Sequence, residues 1–345
     1  MWAVSLSNPN SLAVIFGCSG LSLTASERSF FAEVNPFGFI LFQRNCETPD
    51  QVLALVQDLR QSIGREDAPV LIDQEGGRVA RLNPPHWPEF PPAIKYAELY
   101  RKDHDLGLEA ASLGGCLIAH ELFNLGINVD CAPVLDVPQA DADPIIGDRA
   151  FGGDVLTISV LAKAFADGLS LGGVDPVIKH IPGHGRALVD SHKALPTVDA
   201  SLKELQDIDF PPFKALNTAP WAMTAHVIYQ ALDGKNPATT SAKIIADVVR
   251  KDFGFTGLLL SDDLSMNALS GTFSDRAQGC LDAGCDIALH CNGEREEMEK
   301  IACGAKIMTQ AAQTRYKDNE SKRLASHQNI DIGQARLRFG EILRT

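Results

Sequence analysis

The sequence predicts an α/β fold of the TIM-like (β/α)8 barrel class, and three observations carry that prediction. Eight short apolar, β-branched runs are spread along the chain, amphipathic stretches separate them, and ionisable residues gather just after five of the runs. Strands alternating with helices make a parallel sheet, and eight strands can close such a sheet on itself. An open doubly wound sheet would need a GxGxxG after an early strand, and Gly17-Cys-Ser-Gly20 does not match it. The 345 residues suit one large barrel, and no linker rich in Pro, Gly or Ser divides them. The expectation is a single domain over 1–345, with the barrel at about 10–300 and a C-terminal helical tail at about 300–345.

In order, the strand-like runs are Leu12–Phe16, Gly38–Phe42, Pro69–Asp73, Ile127–Asp136, Val174–His180, Trp221–Ile228, Thr256–Asp262 and Asp286–His290. Helix starts are legible between them. Thr24 with Glu27 and Ser201 with Glu204 read as capping boxes, and Thr48-Pro49 followed by Gln51 places proline at a first helical position. The proline cluster Asn83–Pro92 reads as a rigid loop after the third strand. The last thirty or so residues, from Arg315 on, with Lys317, Lys322 and Arg323 among acids, read as a solvated helical tail.

Composition excludes several partners. With 31 Lys and Arg against 44 Asp and Glu, the formal net charge is −13, and no basic block offers a footprint for nucleic acid or an anionic membrane. The first twenty residues lack a basic leader, Leu12 to Phe16 is too short for a signal-peptide core, and no run reaches 18 apolar residues. The eight cysteines (Cys18, Cys46, Cys116, Cys131, Cys280, Cys285, Cys291 and Cys303) show no CxxC or zinc spacing and none falls in a catalytic motif. They read as free thiols in a reducing, cytoplasmic protein.

Chemistry gathers at the strand ends: Asp73-Gln-Glu-Gly-Gly-Arg78 after the third run, Asp136 after the fourth, Lys179-His180, His226, and Ser261-Asp262-Asp263 after the next three. In a parallel barrel these ends share one face, where such folds place active sites. Within KHIPGHGRALVDSH (179–192), His180 and His184 are four apart, but Pro182 and Gly183 forbid a regular helix between them. A metal site built from His180, His184, Asp190 and His192 is one reading. In another, Asp190 and His192 lie two apart in an extended segment and point to one side, so that the carboxylate orients the imidazole. A loop-stabilising Asp-His hydrogen bond is the bland third. In GLLLSDDL (257–264), adjacent carboxylates at a strand end face opposite ways, so only one can address a ligand.

Together, DQEGGRVARL (73–82), IIGDRAFG (145–152), KHIPGHGRALVDSHKALP (179–196), MTAHVIY (223–229) and GFTGLLLSDDLSM (254–266) resemble the β-N-acetylglucosaminidases of glycoside hydrolase family 3. The likeness covers nearly the whole chain, and the KHxPGHG…DSH combination is its most specific part. It implies a TIM-like barrel and a retaining mechanism. Asp262 would be the nucleophile, His192 oriented by Asp190 the acid/base, and Asp263 a supporting residue. Asp73, Arg81, Arg149, Lys179 and His180 would bind the terminal sugar, while Arg186 occupies a variable place in the motif. Arg81, Arg149 and Lys179 are expected to surround Asp262 and keep it ionised.

The resemblance further implies an exo-acting enzyme that removes terminal β-linked GlcNAc, from soluble GlcNAc-anhydroMurNAc muropeptides of peptidoglycan recycling. It would need no metal or cofactor, and is expected to be a monomer with no nucleic-acid or membrane partner. Three alternatives stand beside it. A metal-dependent barrel hydrolase would use the His180/His184/His192 cluster, a GlcNAc phosphorylase would share the mechanism with phosphate as acceptor, and a sugar-binding barrel would have no use for the dyad.

Overall fold

The computed structural model describes residues 11–345, so the first half of the leader reading lies outside the described residues. Eight parallel strands close a barrel in chain order: β1 Leu12–Gly17, β2 Pro36–Leu41, β3 Val70–Ile72, β4 Val129–Asp130, β5 Asp175–Ile181, β6 Trp221–Thr224, β7 Leu258–Asp263 and β8 Ile287–His290. Closure runs from β8 to β1 through Val14–Ala288, Ile15–Leu289 and Phe16–His290. The two-residue side-chain period divides the strands' apolar residues into two sets. Ala13, Ile15, Ile40, Leu71, Val177, Trp221 and Leu260 belong to the cluster filling the lumen. Val14, Phe16, Phe39, Val70, Ile178 and Leu259 belong to the larger core under the helices.

All eight strand-like runs overlap a barrel strand, but two of the strands are much shorter than their apolar runs. β4 holds only Val129–Asp130, because Pro133 has no N–H for a ladder. The chain beyond it still threads against β5, with Val177 N–H on the Ala132 carbonyl and Leu135 N–H on that of Lys179. The run beginning at Trp221 breaks after Thr224, and Ile228–Tyr229 pairs instead with Thr197–Val198. Thr24/Glu27 and Ser201/Glu204 make reciprocal capping boxes, and Thr48 caps Pro49–Ser62.

The helix His104–Asn124 reaches, by length and mean hydropathy, what a membrane span would require, yet just over half of its apolar window is buried here. It packs on helix Val155–Leu171 so closely that a Cβ on Gly115 would lie 2.2 Å from the Phe165 carbonyl oxygen. The C-terminal segment differs from the expected solvated tail. Helix Gln310–Ser326 docks on the barrel, placing Tyr316 in the luminal cluster with its hydroxyl on the Asp67 carbonyl. Arg315 pairs with Asp286 at 2.8 Å and Asn319 donates to the Pro220 carbonyl. Its charges therefore tie it to the barrel, while Ala335, Phe339 and Ile342 of helix Ile332–Ile342 join the outer core.

Near this docked helix, burial pushes the Asp175 carboxyl up to about 7, only partly opposed by Arg323 and the Trp221 indole N–H. A raised carboxyl favours the protonated native state, so stability should fall as pH rises from the unfolded value toward 7 and then level. Asp175→Asn keeps an acceptor for the indole and removes this dependence. Its melting temperature should exceed wild type at pH 8, by up to about 4 kcal/mol in stability, with little difference near pH 4. An offset between the two proteins that does not change with pH would count against the buried neutral carboxyl.

Candidate active site

The C-terminal strand ends surround a cavity of about 220 Å³, lined among others by Asp73, Glu75, Arg81, Arg149, Lys179, His180, His184, His192 and Asp262. A ladder of opposite charges runs along one wall. Arg81 pairs with Asp73 at 3.1 Å, Lys179 bridges Asp73 at 3.0 Å and Glu75 at 2.7 Å, and Arg149 grips Glu75 with two hydrogen bonds of 2.9 Å. Burial opposes ionisation throughout, and the partners outweigh it. Lys179 and Arg149 hold Glu75 at about 2, Lys179 and Arg81 hold Asp73 well below the carboxylate range, and Lys179 itself is pushed up.

Asp136, fully buried, organises the next wall. Its Oδ1 accepts the backbone N–H groups of His180 and His184, and its Oδ2 sits 2.7 Å from His180 Nδ1. The loop after β5 then rises over the cavity. At its root a Cβ on Gly185 would lie 2.1 Å from the Val137 carbonyl oxygen, so only glycine fits. The Tyr229 hydroxyl donates to the Gly183 carbonyl, and Arg186 pairs at 2.7 Å with the buried Asp209. Arg186 is thus a tether of the loop root.

Farther along the loop, Asp190 Oδ1 accepts the His192 backbone N–H at 2.9 Å and lies 2.8 Å from its Nδ1. The pairing expected from an extended segment is made by a tight turn, in which Asp190 caps the backbone two residues on. The His192 side chain stays 63% exposed, at the cavity mouth.

β7 ends on the two carboxylates, and their surroundings differ. Asp263 spends its oxygens on the Ser265 N–H and hydroxyl and on the Cys291 N–H, which ties the end of β7 to the end of β8. Among the described residues, Asp262 accepts only the adjacent Asp263 N–H, at 2.8 Å. Burial works against its charge, but His226, His180, that N–H and His192 hold it below the usual carboxylate range. The cations expected to do this, Arg81, Arg149 and Lys179, are instead committed to Asp73 and Glu75. His226 supports the same strand end with Nε2 donating to the Asp263 carbonyl at 3.0 Å.

The four candidate metal ligands do not converge. His180 is engaged by Asp136, His184 Nε2 by Ser191, and His192 by Asp190. Among the described residues no three His, Cys, Asp or Glu side chains are arranged to hold a metal ion.

The family model of the glycosyl hydrolase family 3 N-terminal domain matches residues 18–322. The chain belongs to glycoside hydrolase family 3. It is 39% identical over 282 residues to a β-hexosaminidase of Methylococcus capsulatus, covering 81% of this chain and 82% of that one. It also superposes on native NagZ from Neisseria gonorrhoeae with a TM-score of 0.86 at 29% identity, over 97% of this chain and 98% of that one. The same NagZ in complex with N-trifluoroacetyl-D-glucosamine gives an equal TM-score of 0.86 and the same identity and coverage. The family 3 chain is thus a glycoside hydrolase of the β-N-acetylhexosaminidase kind.

The family 3 cavity brings together every residue that the family resemblance assigned to catalysis or sugar binding except Asp190, which stands behind His192. Glu75 and Asp136 were not singled out as ligands or supports, yet each holds two of the candidates in place. Glu75 could have been found, because DQEGGR sets it two residues from Asp73, on the same side of an extended chain. Cys291 also lines the cavity although it belongs to no motif, because the β7–β8 pairing carries it there.

Proposed function

We propose that this β-hexosaminidase is an exo-acting, retaining β-N-acetylglucosaminidase that works through a glycosyl-enzyme ester on Asp262. The observation carrying this reading is the pairing of an ionised Asp262 bearing an uncommitted oxygen with an Asp190–His192 dyad at the mouth of the same cavity. Asp262 attacks the anomeric carbon while His192 gives a proton to the departing oxygen. His192 then takes a proton from water, which cleaves the ester. Asp190 keeps the imidazole oriented in both steps. An imidazole can give a proton from one state and take it back in the other, which suits a group that must donate and accept in turn.

Asp73, Arg81, Arg149, Lys179 and His180 are the ligands we assign to the terminal sugar. The cavity's volume of about 220 Å³ is below the range of about 300–1,000 Å³ typical for larger ligands, which favours one ring over a chain segment. The N-trifluoroacetyl-D-glucosamine bound by the related NagZ supports the 2-acetamido sugar. As physiological substrate we propose GlcNAc-anhydroMurNAc muropeptides of cytoplasmic peptidoglycan recycling. We propose that the protein acts as a monomer, since this chain supplies all the residues named for the site.

Incubation with a 5-fluoro-GlcNAc donor followed by peptide mass mapping tests the reading. The adduct is expected on the peptide containing Asp262, at the carboxylate of that residue. Turnover with no adduct, or an adduct elsewhere, would overturn the mechanism. Because Asp262 is held below the usual carboxylate range, its limb of the kcat/KM profile should lie on the acid side of that range.

A further inference from the structure

Among the described residues the His192 side chain has one hydrogen-bond partner, Asp190, and it is otherwise largely exposed. Where the dyad stands therefore depends on what holds the backbone of 190–192. Two contacts do so. The Ser191 hydroxyl, between the dyad residues in sequence, lies 3.1 Å from Nε2 of His184, and both residues are buried. The Asn267 amide, on the loop following β7, donates to the His192 carbonyl at 3.1 Å.

His184 is itself rooted. Its backbone N–H donates to Asp136 at 2.6 Å, on the carboxylate that also orients His180. One buried carboxylate therefore places a proposed sugar ligand and, through His184 and Ser191, the acid/base segment. The loop bearing Asn267 grows from the strand bearing Asp262. The acid/base segment is thus fastened to both walls of the cavity through residues that need not touch the reacting bond.

We propose that His184 and Ser191 are positioning residues, whose hydrogen bond docks the Asp190–His192 segment over the cavity, with Asn267 as an outer clasp. The bond is neutral in either direction of donation. Burial and the neighbouring His180 push His184 down to about 4, so the latch stays uncharged while His192 cycles its proton. A charged latch would be partly coupled to each protonation of His192, and a neutral one is not. This inference rests on the role proposed above for His192.

The test compares kcat/KM on two β-GlcNAc glycosides, an activated aryl glycoside and an unactivated alkyl glycoside, for Ser191→Ala, Asn267→Ala and His192→Ala. An activated leaving group needs little protonation, so a displaced acid penalises only the unactivated substrate. Ser191→Ala is expected to lose about tenfold on the unactivated glycoside and no more than about twofold on the activated one, with Asn267→Ala showing the same split more weakly. Equal losses on both substrates, or none on either, for both variants while His192→Ala shows the split would overturn the latch alone. If His192→Ala shows no split, the acid role of His192 falls and the latch with it. Asn267 is exposed, so its variant stays informative even if Ser191→Ala folds poorly.

Discussion

Asp262→Asn should lower kcat by about 10⁴-fold or more while leaving the melting temperature within a few degrees of wild type. The amide is nearly isosteric, can accept the Asp263 N–H that Asp262 Oδ1 accepts now, and cannot form a glycosyl ester. Its neighbour should behave in the opposite way. Asp263→Ala strips partners from the Ser265 and Cys291 N–H groups, so a stability loss of about 2–3 kcal/mol is expected with a smaller fall in kcat. Measuring both variants by thermal melting and by turnover of a chromogenic β-GlcNAc glycoside checks the assignment. Loss of activity without loss of stability in the Asp263 variant, and the reverse in the Asp262 variant, would exchange the two roles.

This contrast shows what one sequence can and cannot say about adjacent carboxylates. The strand period says that only one of Asp262 and Asp263 can address a ligand, but both line the cavity, and the two peptides look alike until β8 is placed. Once the Cys291 N–H lies 3.1 Å from Asp263 Oδ1, Asp263 is a clamp between strands and Asp262 is left with an open oxygen. The eight strands were legible because each buries two apolar faces, which leaves a nearly continuous apolar run. Their ends were less so at Pro133 and after Thr224, where hydrogen-bond supply rather than hydrophobicity ends the ladder. The docking of Gln310–Ser326 was hidden for a related reason. Its outward composition is charged, and the few residues that matter, such as Ala312, Tyr316 and Asn319, are too sparse to give an apolar stripe.

The electrostatics of the site were also only half legible. Arg81, Arg149 and Lys179 read as cations available to Asp262 because net charge and motif position say nothing about pairing. The structure commits them to Asp73 and Glu75, and the charge on Asp262 is supported by imidazoles and one N–H. The division separates two tasks. A rigid, charge-balanced wall can present hydrogen bonds to a neutral sugar, while the nucleophile sits among groups that do not form a tight ion pair with it. A direct Arg or Lys partner would lower its reactivity by stabilising the anion in the ground state.

That wall depends on Glu75, and its removal is the second large effect expected. Glu75→Gln leaves Arg149 without its bidentate partner and Lys179 with Asp73 alone, two cations in a buried setting with one carboxylate fewer. Breaking one side of a buried pair costs about 3–5 kcal/mol, so the variant should melt well below wild type at pH 7. Turnover should suffer chiefly through KM, because Arg149 and Lys179 lose the contact that aims them. The pH dependence gives an independent check. Glu75 is held at about 2, below its unfolded value, so its contribution is complete above the unfolded pKa and is lost as pH falls toward 2. The gap in melting temperature between wild type and Glu75→Gln should therefore be widest near neutrality and narrow steadily between about pH 4.5 and 2. A gap that stays constant over that range would show that Gln disturbs packing and that the charge ladder does not stabilise the fold.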